Sequence, residues 1–393
     1  MIQDLQLAES DLQRYRTRCL GAGVLGMAVS AIGAVSNSEQ FFRSYLQAYL
    51  FWLGIALGCL AIAMIHHLSG GAWGLIIRRL LETAGRTLPV LAVLFLPIVL
   101  GLPSLYEWAQ PAALAHDKIL QHKTPYLNVP FFLTRALIYF AAWILIARFL
   151  SKWSLQQDRT ADPSLSRRLE LLSGPGLVVY GATMTFASID WVMSLEAHWF
   201  STIYGLSFMV GQVLGAFAFV IALVIWLSSR KPFSELISPS HLHDLGKLLL
   251  TFVMLWAYMA FSQFLIMYSG NLPEEIPWYL RREDGVWGWI AIVLILFHFV
   301  LPFLLLLSRD LKRSGGKLLK VALLVVFMRY LELSWLISPT SRSPGGLHLW
   351  LDLATMTGVG GLWLAFFATQ LKGKPVLPLH DPFLEAALEH GKE

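Results

Sequence analysis

The sequence predicts an all-α polytopic membrane protein, a bundle of ten transmembrane helices, and three observations predict it. Apolar residues make up 56% of the 393-residue chain and charged residues only 14%, against about 25% charged in a soluble domain, so the chain cannot clothe a water-facing surface. The apolar residues fall in runs of roughly 20, the length a helix needs to cross a bilayer core. These runs are continuous and do not alternate with period two, which excludes a barrel. Basic residues concentrate in every second loop, the signature of spans that alternate direction. A disordered chain, a soluble enzyme and a nucleic-acid binder are excluded with them, because the formal net charge of +5 sits in short loops where it orients spans. Cys19 and Cys59 both lie in apolar runs, which leaves no disulfide framework and no thiolate metal site.

The polar opening, residues 1–18, precedes the first span and is expected to need no cleavable signal. Predicted spans follow at about Cys19 to Val35, Tyr45 to His67, Leu88 to Trp108, Pro130 to Leu150, Leu171 to Ser188, Thr202 to Ser228, Leu248 to Tyr268, Val286 to Ser308, Leu318 to Ser338 and His348 to Leu371, before a tail at 372–393. With the N-terminus in the cytoplasm, that side receives Arg14, Arg16 and Arg18, then Arg78, Arg79 and Arg86, then Arg159, Arg167 and Arg168, and further clusters after spans 6 and 8. The other side receives only Arg43, Lys118, Lys123, Arg281, Arg282 and Arg342, so the positive-inside rule predicts both termini in the cytoplasm.

Three loops carry expectations of their own. Gly71–Gly85 sets Ile76, Ile77, Leu80 and Leu81 beside Arg78, Arg79 and Glu82, the pattern of a short helix lying in the membrane interface. His116, Asp117 and His122 match no zinc spacing, which favours a solvated helix. The loop NLPEEIPWYLRREDG, Asn271–Gly285, reads either as a docking surface or as an interfacial cap. With the loop after span 3 it carries Trp108, Tyr126, Trp278 and Tyr279, aromatics of the kind enriched at interfaces and expected to touch extramembrane subunits.

Charged and titratable groups at depth are functional candidates or ion pairs by default. Arg329 and Glu332 stand three residues apart on one face of span 9, as a self-neutralising pair or a protonatable relay. His298 falls near mid-depth of span 8. Span 5 ends with Asp190, Glu196 and His198 beside Trp191 and Trp199, after Tyr180, Thr183, Thr185 and Ser188, hydroxyls able to chain hydrogen bonds inward. His348 and Asp352 are spaced i, i+4 at the start of span 10, and Tyr258 lies within span 7. A carboxylate near an imidazole can hold a proton near neutral pH, which makes these groups candidates for a proton pathway; for the span 5 group the alternative is an interfacial anchor. Only His198 and His348 share a depth, at the exposed rim, and two isolated cysteines cannot hold an iron–sulfur cluster, so no cofactor or metal is expected in this chain.

The stretch GATMTFASIDWVMSLEAHWFSTIYGLSFMVGQ, Gly181–Gln212, is anchored by Asp190, Trp191, Ser194, His198, Trp199 and Phe200. It resembles the ActF subunits of bacterial alternative complex III, the quinol:cytochrome c oxidoreductase, relatives of the NrfD and PsrC membrane subunits. HKTPYLNVPFFLTRALIYFAAW, His122–Trp143, resembles the family's second signature, and the ten-span count fits along the whole chain. The resemblance implies two four-helix bundles, spans 2 to 5 (about 45–188) and 6 to 9 (about 202–338), flanked by the first and last helices. It also implies a bacterial inner-membrane complex with a paralogous ten-helix subunit and with multihaem cytochrome c and iron–sulfur subunits that carry the haem c and clusters, quinol being the substrate of the whole. For this chain it implies a proton path and a scaffold without catalysis. A quinone-binding redox subunit of the NrfD/PsrC type is the second reading, and it needs a headgroup-sized pocket opening to lipid near a His or Asp. A stand-alone transporter is the third, and it needs helices broken at matching places in two halves.

Overall fold

The computed structural model describes residues 5–340 and 349–390; His348 lies outside them. Among the described residues, ten helices are long and apolar enough to cross a membrane: span 1 Glu9–Ser36, span 2 Ser38–Ser69, span 3 Leu75–Leu100, span 4 Val129–Thr160, span 5 Ser164–Glu196, span 6 Tyr204–Leu227, span 7 Pro239–Gly270, span 8 Gly285–Leu307, span 9 Gly315–Thr340 and span 10 Leu349–Leu371. The Val376 N–H donates to the Leu5 carbonyl at 2.9 Å, so the two ends of the chain meet on one side, the termini face; the opposite side is the far face.

Burial sorts the spans. The most apolar stretches of spans 2 and 6 are 94% and 83% buried, against 22% in span 1 and 28% in spans 7 and 8. A helix that is apolar all round belongs in the middle of a bundle, and these two pack against each other along the centre of the molecule. Spans 2, 3, 4 and 5 close into one ring of contacts and spans 6, 7, 8 and 9 into another, while spans 1 and 10 lie side by side against span 2. Between spans 1 and 10 the backbones nearly touch: a Cβ on Gly26 would sit 2.5 Å from the Gly358 nitrogen, and one on Gly361 would sit 2.4 Å from the Gly23 nitrogen. Van der Waals packing of this kind holds helices together in lipid, where apolar burial gives no drive.

The structure corrects one sequence expectation and adds to two others. Leu75–Gly85 does not lie in the interface; all eleven of its residues are buried, and it begins span 3. The helix restarts after Thr87 and Phe95, with Pro89 and Pro97 in the first turns of the following pieces, as expected where proline removes a backbone donor. Trp108 falls beyond the span, in a short turn at Glu107–Ala109. Second, Trp108 and Trp278 are 2% and 5% exposed and pack into the chain's own core. Trp278 stacks on Trp199 with centroids 4.7 Å apart, which makes Asn271–Gly285 a cap over the bundle. Third, the segment after span 10 is not a free tail: Val376 and Leu377 are buried, and the Leu379 N–H donates to Asp158 at 3.0 Å.

Candidate proton-transfer site

At mid-depth, span 9 turns Arg329 and Glu332 inward, roughly 16 and 12 Å from its far-face end by helical rise. Arg329 Nη1 donates to Glu332 Oε2 at 2.5 Å, and the Trp256 indole on span 7 donates to Oε1 at 2.8 Å. Span 6 admits the guanidinium through glycine, since a Cβ on Gly211 would lie 2.2 Å from Arg329 Nη1. His298 faces the same carboxylate, its Nδ1 4.0 Å from Glu332 Oε2, and its ring lies flat on Trp256 at 4.2 Å. Both ring nitrogens of His298 are buried without a hydrogen-bond partner. The residue sits in a π-helical turn, Ile295–Val300, a local widening common at functional sites.

Polar groups extend from this centre toward the far face. Tyr204, buried at the start of span 6, packs edge-on against Trp199 with centroids 5.5 Å apart. Glu196 accepts from Arg282 Nη2 at 2.7 Å and from Arg281 Nη1 at 2.9 Å. Burial holds the Arg282 guanidinium below its ordinary range, and Glu196 opposes that shift. Arg282 also donates to the carbonyls of Trp278, Trp335 and Leu336, and so ties the cap to span 9.

Asp190 lies elsewhere. It is fully buried and accepts two parallel bonds from Arg135 on span 4, at 2.8 and 2.9 Å, with a third from the Tyr139 hydroxyl at 2.8 Å. Sequence reading missed Arg135, although a lone arginine inside PFFLTRALIYF is itself a signal. His198 pairs with Asp117 at 2.6 Å on the surface. Asp117 caps the Lys118–Lys123 helix and is held below the usual carboxylate range first by the Leu120 N–H and then by His198. Asp352 accepts from Ser44 at 2.5 Å, and Gln47 donates to Ser334 at 2.5 Å. Tyr258 points out of the bundle, 66% exposed, and does not join these groups.

Toward the termini face, the Tyr180 hydroxyl donates to Gln212 Oε1 at 3.0 Å, and His67 pairs with Ser173 at 3.1 Å. Beyond them lies a buried network of charges from span 3, span 4 and the segment after span 10. Glu82 accepts from Arg78 at 3.0 Å, from Arg79 at 2.7 Å and from Ser154 at 2.5 Å. Arg78 also pairs with Asp381, and Arg79 with Asp158. Three of these partners, Ser154, Asp158 and Asp381, come from span 4 or from beyond span 10, far away in sequence, so Arg78 and Arg79 meet their second carboxylates only when the chain is folded.

Chemically, the mid-depth site is a carboxylate held by two N–H donors beside a histidine with unused nitrogens, a pair that a single water or a small torsion would bring into proton-transfer distance. Among the described residues no group of three His, Cys, Asp or Glu side chains could hold a metal ion. Compared with known proteins, the chain matches no family model and no curated protein.

Proposed function

We propose that this chain is an integral subunit of a quinol-oxidising respiratory complex of the alternative complex III kind, and that it supplies a transmembrane proton pathway and a scaffold for redox subunits. The observation that carries the reading is Glu332, a carboxylate kept at mid-depth between an indole donor and the unpartnered His298. Protons would be taken up at the termini face near Glu82, His66 and His67, pass Tyr180 and Gln212 to Glu332 and His298, and leave past Tyr204 and Glu196. Ser173 and Tyr180 are seven residues apart on span 5, roughly 10 Å, so this route requires water between them. The termini face is the cytoplasm in this reading, in a bacterial inner membrane. Haem c and iron–sulfur clusters reside in partner subunits, alongside a paralogous ten-helix subunit. Against a transporter stands the asymmetry of the halves: span 3 is broken at its prolines, whereas span 7 is one continuous helix.

Purification from native membranes in mild detergent tests the assignment. Haem c absorbance and quinol-dependent cytochrome c reduction should travel with the chain. A colourless homo-oligomer lacking both would refute it.

A further inference from the structure

A cavity of about 340 Å³ opens on the far face between residues 122–127 and the end of span 5. Its floor is apolar, formed by Leu127, Ile189, Met193 and Phe200. Phe200 is 52% exposed, and Phe186, one turn before Ile189 on span 5, is 48% exposed, so the mouth adjoins the surface that span 5 presents to lipid.

Donors line the walls, beside the Tyr126 hydroxyl, which is buried without a partner. Lys123 gives one hydrogen to the Ala197 carbonyl at 2.5 Å and retains two, and burial holds its ammonium below the ordinary lysine range. Trp199 is 95% buried by the measure of its 5% exposure, and its indole N–H has no acceptor. His122 stands exposed at the rim. The carboxylates of this end are engaged with other partners: Asp190 with Arg135 and Tyr139, Asp117 with His198, and Glu196 with Arg281 and Arg282.

We propose that this cavity binds the phosphate of a membrane phospholipid, which accepts from Lys123 and Trp199 while the acyl chains leave past Phe200 into the bilayer. The volume falls in the range of small-molecule sites. A cation with an indole donor favours an anion that carries several acceptor oxygens, and the apolar floor favours an amphiphile over a free ion. A neutral quinone headgroup would add no negative charge beside the ammonium, whose burial Asp117 offsets only in part. The inference does not depend on the proton reading.

The test uses the purified protein in nanodiscs with phosphatidylglycerol carrying a diazirine near its headgroup, and maps photolabelled peptides by mass spectrometry. Label should fall on 122–127 and 189–200, and excess unlabelled phosphatidylglycerol should displace it. It should drop at least fivefold in Lys123→Gln and in Trp199→Phe, which keeps an aromatic ring against Trp278, while Lys118→Gln at the exposed start of the same short helix stays at the wild-type level. The proposal is overturned by label that ignores both substitutions. Displacement in the wild type by inorganic phosphate or by a short-chain quinone, with no effect of phospholipid, overturns it as well and does not depend on the variants folding.

Discussion

Asp190 and Glu332 are both carboxylates paired with an arginine inside the bundle, and they are held in opposite ways. Asp190 is fully enclosed, takes a two-pronged guanidinium and adds a tyrosine hydroxyl, so its acceptors are met. Glu332 takes one bond from Arg329 and one from Trp256, keeps 12% of its side chain accessible, and faces a histidine that has no partner. A two-pronged guanidinium pins a carboxylate in place; one with an idle imidazole alongside has somewhere to send a proton. Residue type and depth alone make both look like relay groups. Satisfaction of their hydrogen bonds separates a lock from a relay.

The largest expected effect falls on the lock. Arg135→Ala leaves Asp190 charged and buried, at a cost of about 3 to 5 kcal/mol for breaking a buried pair, so the protein should lose its thermal transition or fail to accumulate in membranes. If Arg135→Ala melted within a few degrees of wild type, the lock reading would be wrong. Next comes Gly361→Leu at the contact of spans 1 and 10, where added bulk meets the Gly23 backbone at 2.4 Å. Overpacking of this kind costs about 1 to 3 kcal/mol or more, and it should loosen span 1 without touching Glu332, as proteolysis of the N-terminal segment would report.

A pH effect sharpens the contrast from the termini face. Burial, with Arg86 and Arg79 adding to it, lowers Lys374 from 10.5 to about 8. Between those values the undocked segment binds more protons than the docked one, so docking strengthens as pH rises from 8 toward 10.5 and is weakest below 8. Protease cleavage within residues 372–390 should therefore slow between pH 7.5 and 9.5, and Lys374→Met should flatten that profile. The smallest effect belongs to Arg281→Ala. Arg281 is 58% exposed, and an exposed pair contributes about 0 to 1 kcal/mol, while Arg282 still holds Glu196.

The fold was legible because hydrocarbon imposes length and apolarity on every span, and ten runs of the right length stand in the sequence. Span 3 was misread for a physical reason: Arg78, Arg79 and Glu82 look like the polar face of a surface helix until Ser154, Asp158 and Asp381 arrive to neutralise them. The Arg329 and Glu332 pair was legible because i, i+3 spacing is local. Trp256, which supplies the second donor to Glu332, comes from a different span, and no spacing rule reaches across spans. Tyr258 shows the converse limit, since depth is readable in a span and facing is not: an outward tyrosine and an inward one occupy the same hydropathy window.

Glu332→Gln tests the central claim most directly, because the amide keeps the shape and one of the two acceptor oxygens while removing the exchangeable proton. The complex should assemble and pass electrons from quinol to cytochrome c in detergent at close to the wild-type rate, while proton translocation in sealed vesicles falls at least tenfold. Full translocation by a correctly assembled Glu332→Gln complex would contradict the account and leave Arg329 and Glu332 as a second lock.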